Sequence, residues 1–322
     1  MANILVVMPV NEAHKELLKS VAGDLSIDYI PAANVTKEDV DAASIIVGNV
    51  SPSLIKGSTN LKLMQLNSAG TDGYTAEGVL PEGAVLTNAT GAYGLAISEH
   101  MIGALLMVMK KFDQYRIDQV NHVWTDHGSV PSIFGSRTLV VGLGDIGKEF
   151  AVRMNALGSS VDAIKRIPSD KPDYIDNIYK MDDLYDQLEK ADIVATCLPG
   201  TPETYKLFNA EAFSHMKDGA FFVNIGRGNA VDSDALCEAL NSGKLGGATV
   251  DVTDPEPLPA DHPLWDAKNL LITPHVSGGY HLQATHDKII QIAAKNITHY
   301  LKGEEFENIV DMKTGYRDNS RI

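Results

Sequence analysis

Three side chains in the second half of the sequence have the types needed for proton transfer beside a developing negative charge. Arg227 lies between Gly226 and Gly228, Glu256 lies between two prolines, and His275 follows a Thr-Pro pair. A histidine gives or takes a proton near neutral pH, a carboxylate stabilises the imidazolium, and a guanidinium stays charged. Each of the three follows a predicted strand. Taken singly, each also has an ordinary explanation: a surface charge, a solvated loop carboxylate or a loop histidine.

A glycine-rich turn earlier in the chain predicts a dinucleotide site. An apolar run, Leu139–Val141, precedes the turn, and a helical pattern runs from about Ile146 to Leu157. The glycines of the turn are Gly142, Gly144 and Gly147. In such a unit they permit the tight turn, the approach of a pyrophosphate, and close packing of helix on strand. A turn that binds nothing is the alternative, but the next strand, Val161–Ile164, follows in the required order.

The residues after that second strand favour NADP(H) over NAD(H). An acidic residue about 20 positions after the glycines normally binds the adenosine ribose hydroxyls. This chain has Lys165 and Arg166 there, with no carboxylate beside them. A guanidinium at this point can hold a 2′-phosphate through charge-assisted hydrogen bonds. A solvated basic pair at the end of a strand is the alternative.

Composition limits the class of protein. A chain of 322 residues with 44% apolar and 21% charged residues is expected to form two ordinary globular domains. The net charge of −15 argues against nucleic acid and anionic membranes as partners. Neither of the two cysteines, Cys197 and Cys237, has the spacing of a metal site. With no stretch of transmembrane length and no basic N-terminal segment, a cytosolic location is expected.

Strand and helix signals alternate along the chain, which predicts an α/β fold with parallel sheets. The predicted domains are a substrate domain, residues 1–95 and 285–322, and a dinucleotide-binding domain, residues 96–284. Helix Gln283–Leu301 and the short closing segment Phe306–Val310 complete the first of these. The predicted strands are Asn3–Met8, Ser26–Ile30, Ser44–Gly48, Leu61–Leu66, Val85–Thr87, Leu139–Val141, Val161–Ile164, Ile193–Thr196, Ala220–Asn224, Ala248–Asp251 and Leu270–Thr273.

The segment Ala96–Phe112 is apolar on almost every side, so a helix there must be buried on several sides. We expect it between the domains or at a contact between subunits. An ordinary core helix is the alternative.

Taken together and in this order, these segments resemble the D-isomer-specific 2-hydroxyacid dehydrogenases, which include glyoxylate/hydroxypyruvate reductases, D-lactate and 3-phosphoglycerate dehydrogenases. The resemblance covers nearly the whole chain. It rests on the glycine turn and on the segments Asn67–Gly73, Cys197–Thr204, Asn224–Asp232, Asp251–Pro259, Thr273–Gly278 and Asn308–Asp311.

The resemblance implies a role for each site residue. Arg227 would bind the substrate carboxylate and carbonyl oxygen, His275 would be the acid/base, and Glu256 would be its partner. Backbone N–H groups of Ala69 and Gly70 would hold the carboxylate. The residues expected along the cofactor are Gly142, Gly144, Asp145, Ile146, Gly147, Lys165, Arg166, Cys197, Pro199, Thr204, Ile225, Asp251, His275 and Gly278. No metal is expected, and the family fold implies two α/β domains, one inserted into the other, in a homodimer.

The implied reaction delivers hydride to a carbonyl carbon while a proton reaches its oxygen, and an imidazolium is a suitable donor. A small 2-keto acid such as glyoxylate, hydroxypyruvate or pyruvate is the expected substrate. The chain departs from the family after Gly278, where Tyr280 and His281 replace smaller residues. A dinucleotide-sensing, corepressor-like binding protein on the same scaffold is the alternative. A hydrolase using Asp251 and His275 lacks a nucleophile-elbow motif.

Overall fold

The computed structural model describes residues 3–166 and 171–317, which divide into two units. Unit 1 comprises Met1–Tyr93 and Tyr280–Ile322, and unit 2 comprises Gly94–Gly279. Unit 2 is therefore inserted into unit 1 along the chain. The predicted limits at 95/96 and 284/285 lie close to these divisions, and the functions assigned to the two domains stay predictions.

The N-terminal part of unit 1 forms a five-stranded parallel sheet in the order β2-β1-β3-β4-β5. Apolar strands buried on both faces are typical of parallel sheets covered by helices. The strands are β1 Asn3–Val6, β2 Ser26–Tyr29, β3 Ile45–Val47, β4 Leu63–Gln65 and β5 Val85–Thr87. The helices are α1 Glu12–Val21, α2 Lys37–Ala42 and α3 Pro52–Ile55.

Unit 2 contains a seven-stranded parallel sheet in the order β12-β11-β10-β9-β6-β7-β8. The chain runs outward from β6 to β8 and then returns to β9, so the order reverses between β6 and β9. Dinucleotides bind at such a switch point. The strands are β6 Arg137–Val141, β7 Ser160–Ile164, β8 Asn177–Tyr179, β9 Ile193–Thr196, β10 Ala220–Asn224, β11 Leu245–Val250 and β12 Leu270–Ile272. The helices are α4 Gly94–Met109, α5 Phe112–Asn121, α6 Asp145–Ala156, α7 Leu184–Leu188, α8 Ala210–His215 and α9 Ser233–Asn241.

The apolar helix α4 ends earlier than predicted, and it packs on α6 and on β11 within unit 2. These contacts support the alternative of a core helix. Lys111 interrupts the helical run with a left-handed backbone, φ 57°, so Phe112 begins a separate helix. Among the described residues, no helix combines the length and the hydropathy needed to cross a membrane. The expected cytosolic location stays a prediction.

Strand β11 begins at Leu245, although the sequence predicts a strand from Ala248. The difference comes from Gly246 and Gly247: glycine is uncommon in strands, so the sequence gives no strand signal there, but close packing requires it at both positions. A Cβ on Gly246 would lie 2.4 Å from the carbonyl oxygen of Gly219, and one on Gly247 would lie 2.4 Å from Val108 of α4. Only glycine permits the helix and the neighbouring backbone to come this close. Strand β8 was also missed, because it is a short, partly exposed edge strand without an apolar run.

The chain returns to unit 1 in helix α10, Gln283–Lys302, followed by the hairpin strands β13 Val310–Asp311 and β14 Tyr316–Arg317. A buried amide joins this helix to the sheet. Asn296 Nδ2 donates to Gln65 Oε1 at 2.7 Å, and Asn296 Oδ1 accepts from a backbone N–H at 2.7 Å. Buried amides need such partners, so this contact fixes how α10 lies on unit 1.

Candidate active site

The three glycines of the predicted dinucleotide turn meet three different requirements. Gly142 has φ 101°, and a Cβ there would lie 2.9 Å from the carbonyl oxygen of Cys197. A Cβ on Gly147 would lie 2.2 Å from the Gly142 carbonyl oxygen, so α6 can pack on its own turn only with glycine there. A Cβ on Gly144 would meet no atom within 4 Å. That open side suits the approach of a ligand to the backbone.

Helix α6 begins at Asp145, and its N-cap residue Gly144 has no side chain to bind the N–H groups of the first turn. A helix start of this kind attracts phosphate. The Asp145 carboxylate accepts a hydrogen bond from the Gly94 N–H at 3.2 Å, so it is held to the start of α4. Ile146 follows in the first turn. The turn and the helix start fit the pyrophosphate of a dinucleotide.

Basic side chains gather at the end of β7. Burial and the positive charge of Lys148 lower the pKa of Lys165, while Arg166 is exposed. The pKa of Glu203 is lowered mainly by a hydrogen bond with Thr201 and, to a smaller extent, by the charge of Arg166. The sequence did not suggest Lys148. Its position, one residue after Gly147 on α6, is the signal that could have found it.

The loop after β9 carries three of the predicted cofactor residues. Thr204 Oγ1 donates to the Pro199 carbonyl oxygen at 2.6 Å, which closes this loop into a turn. Burial raises the pKa of the Cys197 thiol to about 12. Because the thiolate is the reactive form, Cys197 is unsuited to act as a nucleophile. Beside the loop, the Ile225 N–H donates to the Thr196 carbonyl oxygen at 3.2 Å.

Arg227 is fixed by the glycines on either side of it. A Cβ on Gly226 would lie 2.3 Å from the carbonyl oxygen of Leu198, in the loop after β9. A Cβ on Gly228 would lie 1.9 Å from the carbonyl oxygen of Thr253, in the loop after β11. The backbone carrying Arg227 therefore passes between these two loops with no room for side chains. The half-buried guanidinium also donates to the Gly226 carbonyl oxygen at 3.0 Å.

His275 and Glu256 form a direct pair. His275 Nδ1 lies 2.6 Å from Glu256 Oε1, with the side chains 49% and 42% exposed. His275 has a left-handed backbone, φ 52°, which costs a residue with a Cβ about 1–2 kcal/mol and is common at functional sites. The carboxylate is held in turn, because the Thr253 N–H donates to Glu256 Oε2 at 3.4 Å. The structure thus brings together two residues that are 19 positions apart.

Asp251 holds the loop that carries His275. Its buried carboxylate accepts from the Thr273 hydroxyl at 2.5 Å, the Val276 N–H at 3.0 Å, and the Ser277 N–H and hydroxyl at 3.1 and 2.5 Å. The Asp251 carbonyl oxygen also accepts from the His275 N–H at 2.8 Å. Gly278 follows directly in the same turn. Asp251, which the sequence places along the cofactor, thus also organises the histidine loop.

Helix α4 contributes a second histidine that the sequence did not suggest. His100 Nε2 lies 3.1 Å from the Thr273 hydroxyl oxygen and 3.9 Å from Asp251 Oδ1. With Ser98 and Glu99 it forms the short polar stretch of a mostly apolar helix, and that contrast is the signal that could have found it. His100 therefore lies beside the Thr273–Asp251 hydrogen bond and near Oδ1, whereas Ser277 binds Oδ2.

The other two predicted substrate residues, Ala69 and Gly70, lie in unit 1, in the loop after β4. Every carbonyl oxygen from Asn67 to Gly70 accepts a hydrogen bond, from the Tyr93 hydroxyl, the Ala89 N–H, the Asn88 amide and the Ser68 hydroxyl in turn. In the part of the chain that the structure describes, the N–H groups of Ala69 and Gly70 have no acceptor. A half-buried loop with bonded carbonyls and unbonded N–H groups is suited to bind an anion.

Comparison with known proteins gives a consistent family. The profile of the D-isomer specific 2-hydroxyacid dehydrogenase NAD binding domain matches residues 102–277. A glyoxylate reductase from Thermofilum pendens is 31% identical over 268 residues, 81% of this chain and 78% of that protein.

This chain belongs to the D-isomer-specific 2-hydroxyacid dehydrogenases.

Solved structures of the family have the same fold. A family protein from Aeromonas salmonicida matches with a TM-score of 0.85 and 31% identity over 97% of this chain and 99% of that chain. A family member from Xanthobacter autotrophicus, in complex with NADPH and MES, matches with a TM-score of 0.82 and 27% identity over 98% and 99%. The predicted family, the class of two parallel-sheet α/β domains and the assignment as an NAD(P)-dependent oxidoreductase are confirmed.

Two cavities of the described chain lie apart from the predicted site residues of this dehydrogenase. One, of about 270 Å³, is in unit 1 between α10 and the C-terminal hairpin, and the other, of about 310 Å³, is in unit 2 at the start of β9 and β10. No predicted site residue lines either of them. Among the described residues, no group of three or more His, Cys, Asp or Glu side chains could hold a metal ion.

We predict that Asp251→Asn lowers the free energy of unfolding by about 2–3 kcal/mol, because an amide cannot accept all the hydrogen bonds that the buried carboxylate accepts. Urea unfolding measures the change. Asp218→Asn is the control, because Asp218 is an exposed aspartate paired with Lys244 and its loss should change stability little. Equal unfolding midpoints for Asp251→Asn and the wild type would contradict the role of Asp251 in holding the loop.

Proposed function

We propose that this dehydrogenase reduces a small 2-keto acid to the D-2-hydroxy acid, with glyoxylate, hydroxypyruvate and pyruvate as the candidate substrates. The observation that carries the proposal is the 2.6 Å pair of His275 and Glu256. Both residues follow strands of the sheet whose β6 turn has the dinucleotide geometry. Because the strands are parallel, their carboxyl ends lie at one edge of the sheet, where ligands bind in such folds.

His275 is the proton donor in this proposal. With Nδ1 bonded to Glu256, the ring presents Nε2 to the substrate carbonyl oxygen, and the carboxylate stabilises the imidazolium form. Bound NAD(P)H supplies the hydride to the carbonyl carbon. After the reaction, His275 is neutral and the former carbonyl oxygen carries the proton. In the direction of oxidation, His275 accepts that proton as the base.

Arg227 supplies the positive charge for the substrate in this proposal. The guanidinium stays protonated and has paired N–H groups, so it can bind the carboxylate and stabilise the charge that develops on the carbonyl oxygen. The unbonded N–H groups of Ala69 and Gly70, considered within unit 1 alone, are a second set of donors suited to a carboxylate. In a chain with a net charge of −15, such local donors are needed to attract an anionic substrate.

We predict that His275→Ala lowers kcat by about 10²–10⁴-fold, since proton transfer by a positioned group contributes that much, and leaves the Kd of the cofactor unchanged. The decrease of NAD(P)H absorbance with a panel of 2-keto acids measures kcat. The control is His215→Ala, which removes a histidine–carboxylate pair of similar geometry, His215 Nδ1 to Glu189 Oε1 at 2.9 Å, elsewhere in unit 2.

Near-wild-type turnover in His275→Ala would remove the assignment of His275. A wild type that binds NAD(P)H tightly and turns over none of the 2-keto acids would contradict the proposed substrate class.

The cofactor preference is a further part of the proposal: NADP(H) over NAD(H). The like charge of Lys148 lowers the pKa of Lys165 at the end of β7, and Arg166 is the next residue in the chain. A 2′-phosphate placed among these cations would relieve their repulsion. The related Xanthobacter structure holds NADPH, which also supports this preference.

We predict that the wild type has a kcat/KM for NADPH about 10–100-fold above that for NADH, as expected for charge-assisted hydrogen bonds of about 1.5–3 kcal/mol. In Arg166→Ala, most of this difference should disappear because kcat/KM falls for NADPH and not for NADH. NADH in the same variant is the internal control, because it lacks the 2′-phosphate. A wild type that prefers NADH would overturn the proposed preference.

We also propose that the protein is a homodimer formed through unit 2. Helix α5 contains no buried residue, yet Ile117 and Val120 are exposed on it and Trp124 is fully exposed just beyond it. Ile117 and Val120, three positions apart, lie on neighbouring turns of this helix, and Trp124 follows after the helix has ended. Phe134, also in unit 2, is 79% exposed. Large apolar side chains exposed in one unit favour a protein–protein interface there.

We predict that the wild type sediments as a dimer at micromolar concentration and that Trp124→Ser raises the dimer Kd at least about tenfold, as for a central aromatic interface residue. Sedimentation equilibrium measures the Kd. Val152→Ser, which replaces an exposed apolar residue on α6, should leave the Kd unchanged. A monomeric wild type would contradict the proposed dimer.

A further inference from the structure

Asn67 is the most fully bonded residue of the carboxylate-binding loop proposed above. Its amide oxygen accepts from the Asn49 N–H at 2.6 Å, and its own N–H donates to Asn49 Oδ1 at 3.0 Å. These two bonds tie the end of β4 to the end of β3. The remaining groups of Asn67, its amide nitrogen and its carbonyl oxygen, bind two tyrosine hydroxyls.

The two tyrosines come from distant parts of the chain. Asn67 Nδ2 donates to the Tyr280 hydroxyl, and the Tyr93 hydroxyl donates to the Asn67 carbonyl oxygen. Tyr93 is the last residue of unit 1 before the insertion of unit 2, and Tyr280 is the first residue after it. The chain therefore leaves and re-enters unit 1 at the two residues that hold Asn67.

Both phenols are shielded from water. Burial raises the pKa of Tyr93 and of Tyr280 above the usual tyrosine value, so both hydroxyls stay protonated at neutral pH. The Tyr280 ring also packs against His286, with 5.3 Å between ring centroids. Asn67 is partly buried, so the loss of either tyrosine would remove a hydrogen bond that water replaces only in part.

These contacts continue along the loop to Gly70, three residues after Asn67. Asn49 Nδ2 donates to the Ser68 hydroxyl at 3.0 Å, and that hydroxyl donates to the Gly70 carbonyl oxygen at 2.6 Å. The hydrogen bonds thus run from the tyrosines through Asn67, Asn49 and Ser68 to Gly70. They use the Gly70 carbonyl oxygen within the loop, while the N–H groups of Ala69 and Gly70 stay unbonded.

We propose that Tyr280 and Tyr93 are positioning residues that set the geometry of the Ala69 and Gly70 N–H groups for the carboxylate of the substrate. This inference rests on the proposed function of that loop. Neither tyrosine touches the substrate in this assignment; both act through Asn67. Tyr280, which stands where the family has smaller residues, thereby gains a role in substrate affinity.

The test compares Tyr280→Phe with the wild type in two measurements made with NADPH bound: the Kd of oxalate by calorimetry and the KM of glyoxylate and of hydroxypyruvate. The expected result is a rise of about 5–30-fold in all three values, the effect of one unpaired buried hydrogen-bonding group. The change in kcat should be smaller than about threefold, and the Kd of NADPH should not change. Tyr29→Phe, which changes a half-exposed tyrosine on β2 of the same unit, is the control and should leave every value unchanged.

Tyr93→Phe and the double variant test whether the two tyrosines act through Asn67. Both single variants should weaken oxalate binding, and the double variant should weaken it by less than the product of the two single effects, because they share one target. Effects that multiply would overturn the shared route through Asn67. A rise in KM for hydroxypyruvate alone would mean that Tyr280 contacts the substrate hydroxyl, and this would also overturn the assignment.

The failure of the inference is separable from the failure of the proposed function. If the wild type binds oxalate and Tyr280→Phe binds it equally well, with at most a lower Tm, the positioning role is wrong while the enzyme assignment stands. If the wild type binds no oxalate and reduces no 2-keto acid, the proposed function fails and the positioning role fails with it.

Discussion

The hydrogen bonds of the Asp251 carboxylate are the interaction on which the candidate site depends. A buried carboxylate is costly unless its oxygens are bonded, and here each oxygen accepts two hydrogen bonds from the segment Thr273–Ser277. The same segment contains His275, whose left-handed backbone would be unfavourable without this support. The need to satisfy one buried charge therefore fixes the place and direction of the histidine loop, and with it the contact between His275 and Glu256.

The second constraint is the close approach of backbones at the edge of the unit 2 sheet. The loop after β9 comes close to the turn after β6 at Gly142 and to the loop after β10 at Gly226, and glycine leaves room for the backbone at both points. Rigid elements of this kind position a functional side chain more precisely than flexible loops do. Arg227 is the example, because the glycines on both sides leave its backbone almost no choice of position.

In unit 1, hydrogen bonds to the backbone, not close backbone packing, prepare the proposed binding loop. In the loop after β4, neighbouring side chains and backbone groups bond all the carbonyl oxygens from Asn67 to Gly70, so the N–H groups of Ala69 and Gly70 are the ones left to a ligand. A peptide has equal numbers of donors and acceptors, and an anion-binding loop arises when the acceptors are used internally. The tyrosines at the two ends of the inserted unit add to this arrangement through Asn67.

The sequence by itself determined the parallel α/β class, the glycine turn at Gly142–Gly147 and the set of polar residues after the strands. These follow from local requirements: the period of apolar residues, the backbone freedom of glycine, and the chemistry of a few side-chain types. Only the tertiary structure decided that α4 lies against the glycines of β11 and that Lys148 stands beside Lys165. It also decided that Tyr280 reaches Asn67 across 213 positions of sequence. Such neighbours depend on how whole elements pack, and packing over long distances leaves no periodic or spacing signal in a single chain.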